Sequence, residues 1–190
     1  AGDYIQFPLI GESMNVLRQK EAMDRILTPG VKNHYYKVGH AALVLVNNSS
    51  KECLYFDFGR YHSPFGHGRV RDLQTDHELI IQTKALLDSK NHLLNISEII
   101  QELFHNEACH GSGKIYAATV PINFEKAYEK AKKVQTQSPI NYGPFVWKGT
   151  NCSRFVRTII LYGATDFKTK IKLLLALTIT PTPMFNVTAL

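Results

Sequence analysis

Two runs of strand-forming residues, separated by a short stretch of turn-formers, set the frame of this chain. Tyr35 to Val46 is rich in aromatic and β-branched side chains, Asn47-Asn48-Ser49-Ser50-Lys51 is turn material, and Cys53 to Phe58 reads as a second strand. Ala41 to Val46 has no polar break, so both faces of the first strand are apolar and it belongs inside a sheet rather than at its edge. Pairing Val46 with Cys53 across the turn sets Val44 opposite Tyr55, Ala42 opposite Asp57 and His40 opposite Gly59. Directly opposed residues share a face, so His40, Ala42, Tyr55 and Asp57 project to one side, with His40 and Asp57 as diagonal neighbours about 7–8 Å apart. A slip of one residue would separate them. Each is a polar group in an apolar run, where burial without a partner is costly, and each supplies the partner the other needs. Gly59 leaves room beside the imidazole. A satisfied core pair and one part of a chemical site are both consistent with this pattern.

A second stretch bears on the choice. In Thr150-Asn151-Cys152-Ser153-Arg154-Phe155-Val156 and onward, Cys152, Phe155, Val156, Ile159 and Ile160 recur at the spacing of one helical face. Thr150 or Asn151 is placed to cap the helix and Gly163 to end it. Cys152 therefore stands in the first turn, at the positive end of the helix dipole, where a thiol is more easily ionised. A small buried apolar residue is the ordinary role of a free cysteine. A nucleophilic role requires a base and a group to orient that base. Of the eight histidines, His40 alone lies inside an apolar, strand-like run.

Around these two stretches the pattern predicts an extended segment from Asp3 to Leu9 broken at Pro8, and a helix from Glu12 to Leu27. Gly59 to Asp76 reads as an ordered loop lining a site, and Glu78 to Leu86 as a strand. Asn95 caps a helix running to about His105, Lys114 to Val120 reads as a strand, and Asn123 caps a basic helix to about Lys133. Residues 135–149 read as loop. An apolar helix and the segment Pro181 to Phe185 follow Gly163. The order predicts an α+β fold, an antiparallel sheet packed against helices, with residues 1–190 forming one domain.

Composition narrows the function classes. The net charge of +6 arises from 22 basic and 16 acidic residues scattered along the chain, apart from Lys126, Lys130, Lys132 and Lys133, which read as a solvated helix face. No nucleic-acid motif is present, and no run reaches the ~18 apolar residues of a membrane span. Cys53, Cys109 and Cys152 are odd in number and lack CxxC spacing, which excludes a disulfide framework or a zinc ribbon. The chain begins with Ala, so removal of an initiator, a signal peptide or a longer N-terminal segment is expected. The compartment, cytoplasmic or exported, stays open.

Tyr142-Gly143 followed by Asn151-Cys152-Ser153-Arg154-Phe155-Val156 resembles the Tyr…Gly-Gly…Asp-Cys-Ser-Gly-Phe-Val signature of NlpC-type cysteine peptidases in the papain-like superfamily. Gly39-His40-Ala41-Ala42-Leu43-Val44 resembles that family's histidine-bearing strand, and Asp57 falls on the next strand, where the third polar residue lies. Histidine preceding cysteine resembles the circularly permuted branch, which includes YiiX-like and lecithin:retinol acyltransferase-like proteins. Two positions depart from the signature: Asn151 stands for Asp, and Arg154 for the Gly after Cys-Ser.

The resemblance implies a permuted papain-like domain in which Cys152 attacks an acyl carbon, His40 serves as base and then acid, and Asp57 orients the imidazole. Tyr142, Arg154 and Trp147 are the expected substrate contacts, Arg154 favouring an anionic substrate if it faces the groove. The implied reaction is cleavage of an amide or peptide bond in a small peptide, with no cofactor and no metal. An acyltransferase or lipid-acyl hydrolase would use the same site, and a binding module without turnover would keep the fold. A metal site of His62, His67, His77 and Asp76 fits no familiar ligand spacing.

Overall fold

The computed structural model describes residues 2–6, 31–32, 35–109, 114–143, 146–175 and 187, and side chains only from residue 40 onward. The expected helix from Glu12 to Leu27, the break at Pro8 and the segment Pro181 to Phe185 lie outside the described residues. Strands β1 (Gly2–Gln6), β2 (Val31–Lys32) and β3 (Tyr35–Gly39) form an antiparallel sheet in the order β1-β3-β2. Strands β4 (Ala42–Val46), β5 (Cys53–Gly59), β6 (His67–Arg71) and β7 (Ile140–Asn141) form a four-stranded antiparallel sheet in sequence order. The helices are α1 (Ile96–His105), α2 (Phe124–Gln135), α3 (Cys152–Gly163) and α4 (Phe167–Leu175). The fold is α+β, of papain-like kind, with the His40 segment ahead of the cysteine helix.

The hairpin has the register expected from closing the turn between Val46 and Cys53, with Val44 opposite Tyr55 and Ala42 opposite Asp57, but His40 does not pair with Gly59, which faces Arg69 instead. The long run from Tyr35 is not one interior strand, however: its Ala42–Val46 half is an edge strand, paired among the described residues with β5 alone. It breaks at His40 and Ala41, its first half pairing with β1 and its second with β5. The stretch Gly59 to Asp76 is not all loop, since His67–Arg71 adds a strand that sets Arg71 opposite Asp57. Glu78 to Leu86 is not a strand. A short 3₁₀ turn (His77–Leu79) opens it, and its amides then bond to side chains, Gln82 and Thr83 N–H to the Glu102 carboxylate and Leu86 N–H to Asn95 Oδ1. Groups satisfied locally in this way do not need a ladder. Lys114 to Val120, expected as a strand, is likewise irregular and mostly exposed.

Both faces of β5 are buried, and they bury different things. Phe56 and Phe58, with Leu45 and Val70, pack against Ala127 and Ala131 of α2, Phe155, Val156 and Ile159 of α3, and Leu173 of α4. On the other face Cys53 joins Val44, Val46, Ala85 and Ile99. Helices α2 and α3 meet where Gly163 has no side chain, because a Cβ there would stand 2.9 Å from Ala127 Cβ. The basic face of α2 is not wholly solvated: Lys132 Nζ reaches Asp72 Oδ2 at 2.7 Å and Lys130 lies over the Tyr162 ring.

Candidate active site

Helix α3 begins as its sequence dictates. Asn151 is the N-cap, its Oδ1 accepting the Arg154 N–H at 2.8 Å, and Cys152 follows as the first helical residue, 7% exposed. The preceding loop is fastened to the sheet by Thr150 N–H to Asn141 O at 2.9 Å, Gly143 N–H to Thr150 O at 3.0 Å and Tyr142 N–H to Gly66 O at 2.8 Å. The helix start is thus held against the end of β7.

The helix does not dock on the Asp57 face of the hairpin. It covers the opposite face, where Phe56 and Phe58 point, because that face offers the larger apolar surface. His40 resolves the difference by lying in the break between β3 and β4, outside the ladder, where both faces are in reach. Its Nε2 is 3.0 Å from Asp57 Oδ2, and Cys152 lies near enough for thiol and imidazole to shift each other's titration. With Nε2 turned to Asp57, the ring nitrogen left for the thiol is Nδ1.

Asp57, fully buried, collects more donors than a carboxylate usually meets. Arg71 approaches in a fork, Nε to Oδ1 at 3.0 Å and a terminal nitrogen to Oδ2 at 2.7 Å, while the Tyr55 and Tyr61 hydroxyls each donate to Oδ2 at 3.1 Å. Burial alone would raise the carboxyl, but the bonds from His40 and Arg71 overcome it and hold it at about 2. Arg71 is anchored further by the Ala108 carbonyl at 2.9 Å and lies 3.4 Å from the Tyr61 ring centre. Tyr61 and Arg71 are the site residues that sequence reasoning missed, while Tyr55, placed on the Asp57 face, was given no role there. The alternation Arg69-Val70-Arg71 after the turn at Gly66 was the available signal for a third strand facing Asp57.

The thiol and imidazole shift in opposite senses. Burial would lower His40, yet its bonds to Asp57 and Cys152 push it up to about 10. Burial would raise Cys152, yet its bond to His40, the imidazolium charge and the Ala41 backbone N–H bring it down. Cys53 is pushed up by burial, and Cys109, by burial and the Asp57 charge, to about 11. The thiolate of Cys152 forms as pH rises through its lowered value, and its imidazolium partner persists until His40 loses its proton. The rate of Cys152 alkylation against pH should therefore show its acid limb below the ordinary thiol range of about 8.5. A single rise near that ordinary value would contradict the ion pair.

The other expected residues fall out differently. Tyr142 stacks on Phe58 with ring centres 5.8 Å apart, and burial followed by the Cys152 charge raises its hydroxyl. Arg154 turns back to the Gly149 carbonyl at 2.9 Å and lines a surface depression with Lys148, Thr150 and Thr158. Trp147 stands 86% exposed on the preceding loop. Asp76 is taken by Arg69 in a two-point ion pair at 2.6 Å, and among the described residues no cluster of three His, Cys, Asp or Glu side chains is placed to hold a metal. No helix among them is long and apolar enough to cross a membrane.

Fold and site together define a papain-like α+β protein with a cysteine, a histidine and a carboxylate gathered at one end of its main sheet. More particularly, the chain belongs to the family described as type VI secretion system effector TseH-like, which matches it over residues 7–169. No curated protein and no solved structure matches it.

Proposed function

We propose that the chain is a cysteine-dependent hydrolase of the permuted papain-like kind, cleaving an amide or peptide bond in a cell-wall peptide or a related small amide. The observation that carries this reading is the position of His40, whose Nε2 lies 3.0 Å from Asp57 while the helix-start thiol of Cys152 is close enough to couple to its titration. Membership of an effector family supports an enzyme that acts after delivery by a type VI secretion system.

In this reaction the Cys152 thiolate attacks the carbonyl carbon, and the oxyanion forms beside the first N–H groups of α3. The intermediate collapses as the C–N bond breaks, and His40 delivers its proton to the departing amine. Water then attacks the thioester, its proton passing to His40, and the C–S bond breaks to restore the thiolate. Asp57 stays ionised throughout and keeps the imidazole in place, because Arg71 and two hydroxyls already satisfy it. Tyr142 contacts the substrate.

The test is selective alkylation. At pH 7 iodoacetamide should modify Cys152 at least about tenfold faster than Cys53 or Cys109, although Cys109 is the more exposed thiol. Peptide mapping of a timed reaction gives the three rates, and equal rates would sink the activated thiolate.

A further inference from the structure

The loop after β5 adds a side chain to the pair from a direction the hydrolytic reading does not require. Tyr61 lies with its hydroxyl 3.1 Å from Asp57 Oδ2 and 3.3 Å from His40 Nε2. Its ring meets the imidazole edge-on at 87°, with centres 6.3 Å apart, and its face carries the Arg71 guanidinium. The space it occupies exists because residue 59 is glycine: a Cβ on Gly59 would stand 2.3 Å from Tyr61 Cε2. Its main chain is fixed as firmly as its ring. The Tyr61 carbonyl accepts Arg69 Nε at 2.8 Å and Ser63 Oγ at 3.1 Å, and Arg69 is itself forked onto Asp76.

We infer that Tyr61 is a positioning residue that fixes which nitrogen of His40 carries the permanent proton, and that Gly59 is the niche that admits it. The inference rests on the Cys152–His40 reading and deepens it. The reasoning follows donors and acceptors. Asp57 is ionised and can only accept, so the Tyr61 O–H donates to it, and the Tyr61 oxygen then presents a lone pair to His40 Nε2. Among the described residues that nitrogen meets two acceptors, Asp57 Oδ2 and Tyr61 O, and no donor directed at it, so it bears hydrogen. Nδ1 is thereby the nitrogen that exchanges its proton with Cys152. Without the hydroxyl the ring keeps one acceptor instead of two and loses the contact that resists its rotation.

Tyr61→Phe removes only the hydroxyl and leaves the ring in the Gly59 niche over Arg71. Alkylation of Cys152 by iodoacetamide at pH 7 should fall about tenfold, the loss of one hydrogen bond to a charged pair. The acid limb of its rate–pH profile should move up toward the ordinary thiol range, while the melting temperature stays within a few degrees. Gly59→Ala, which displaces the ring with its hydroxyl intact, should slow alkylation by a similar factor, and the double variant should be no slower than the slower single one. A Tyr61→Phe protein with wild-type rate and profile overturns the inference, as does one that loses only thermal stability. The wild-type protein separates the two levels: if its Cys152 reacts no faster than Cys109, the hydrolase reading itself has failed. If its Cys152 is fast and the Tyr61→Phe protein equally fast, only the role of Tyr61 has.

Discussion

Asp57→Ala should cost about 3–5 kcal/mol of folding stability, because removing one partner of a buried pair strands the other. Arg71, its side chain 7% exposed, would keep only the Ala108 carbonyl and the Tyr61 ring, and two tyrosine hydroxyls would lose their acceptor. For a chain of this size that corresponds to a melting temperature lower by about 10 °C. A double variant, Asp57→Val with Arg71→Met, removes both charges and should recover much of the loss while leaving His40 without its carboxylate. Thermal unfolding of the three proteins checks the expectation, and a single variant as stable as wild type would contradict it. The same pair gives the stability a pH dependence of known sign. Because the folded carboxyl is depressed to about 2, its contribution is complete above the ordinary carboxylate range and disappears as pH falls toward that value.

Cys152→Ala and His40→Ala should each abolish turnover, by at least about a thousandfold, since neither group works without the other. The double variant should be no slower than either single one, which is the signature of residues that act as a unit. Amine release from small cell-wall peptides, followed with each protein, provides the measurement. A Cys152→Ala protein that keeps its rate would exclude the thioester path. Loss in Cys152→Ala with full activity in His40→Ala would assign the base elsewhere.

Much of the frame was legible because it is written in local patterns. The hairpin register followed from the short turn that pairs Val46 with Cys53, and the apolar face of α3 from helical spacing. Asn151 and Asn123 cap their helices through their own side chains, whereas Asn95 occupies its cap position without a capping bond and spends its amide on Lys84 O and the Leu86 N–H. What stayed hidden depends on distant partners. Strand β6 lies within a stretch broken by Pro64, Gly66 and Gly68, and Arg71 looks like any surface arginine until the fold sets it opposite Asp57. The side of the sheet that α3 covers is likewise a matter of competing apolar areas, not of the hairpin's own sequence. His40 matched its expected partner because the chain breaks at that residue, freeing its ring from the alternation that would have confined it to one face.

That break has a further consequence. Asp57 approaches from one side of the sheet and Cys152 from the other, so the pair of ionised groups exists only at the rim where β4, β5 and the start of α3 converge. Neither the hairpin alone nor the helix alone holds a reactive sulfur. On the proposed reading the chemistry belongs to the assembled domain and not to any one element, so the thiol's reactivity would serve as a built-in gauge of whether α3 is docked on the sheet.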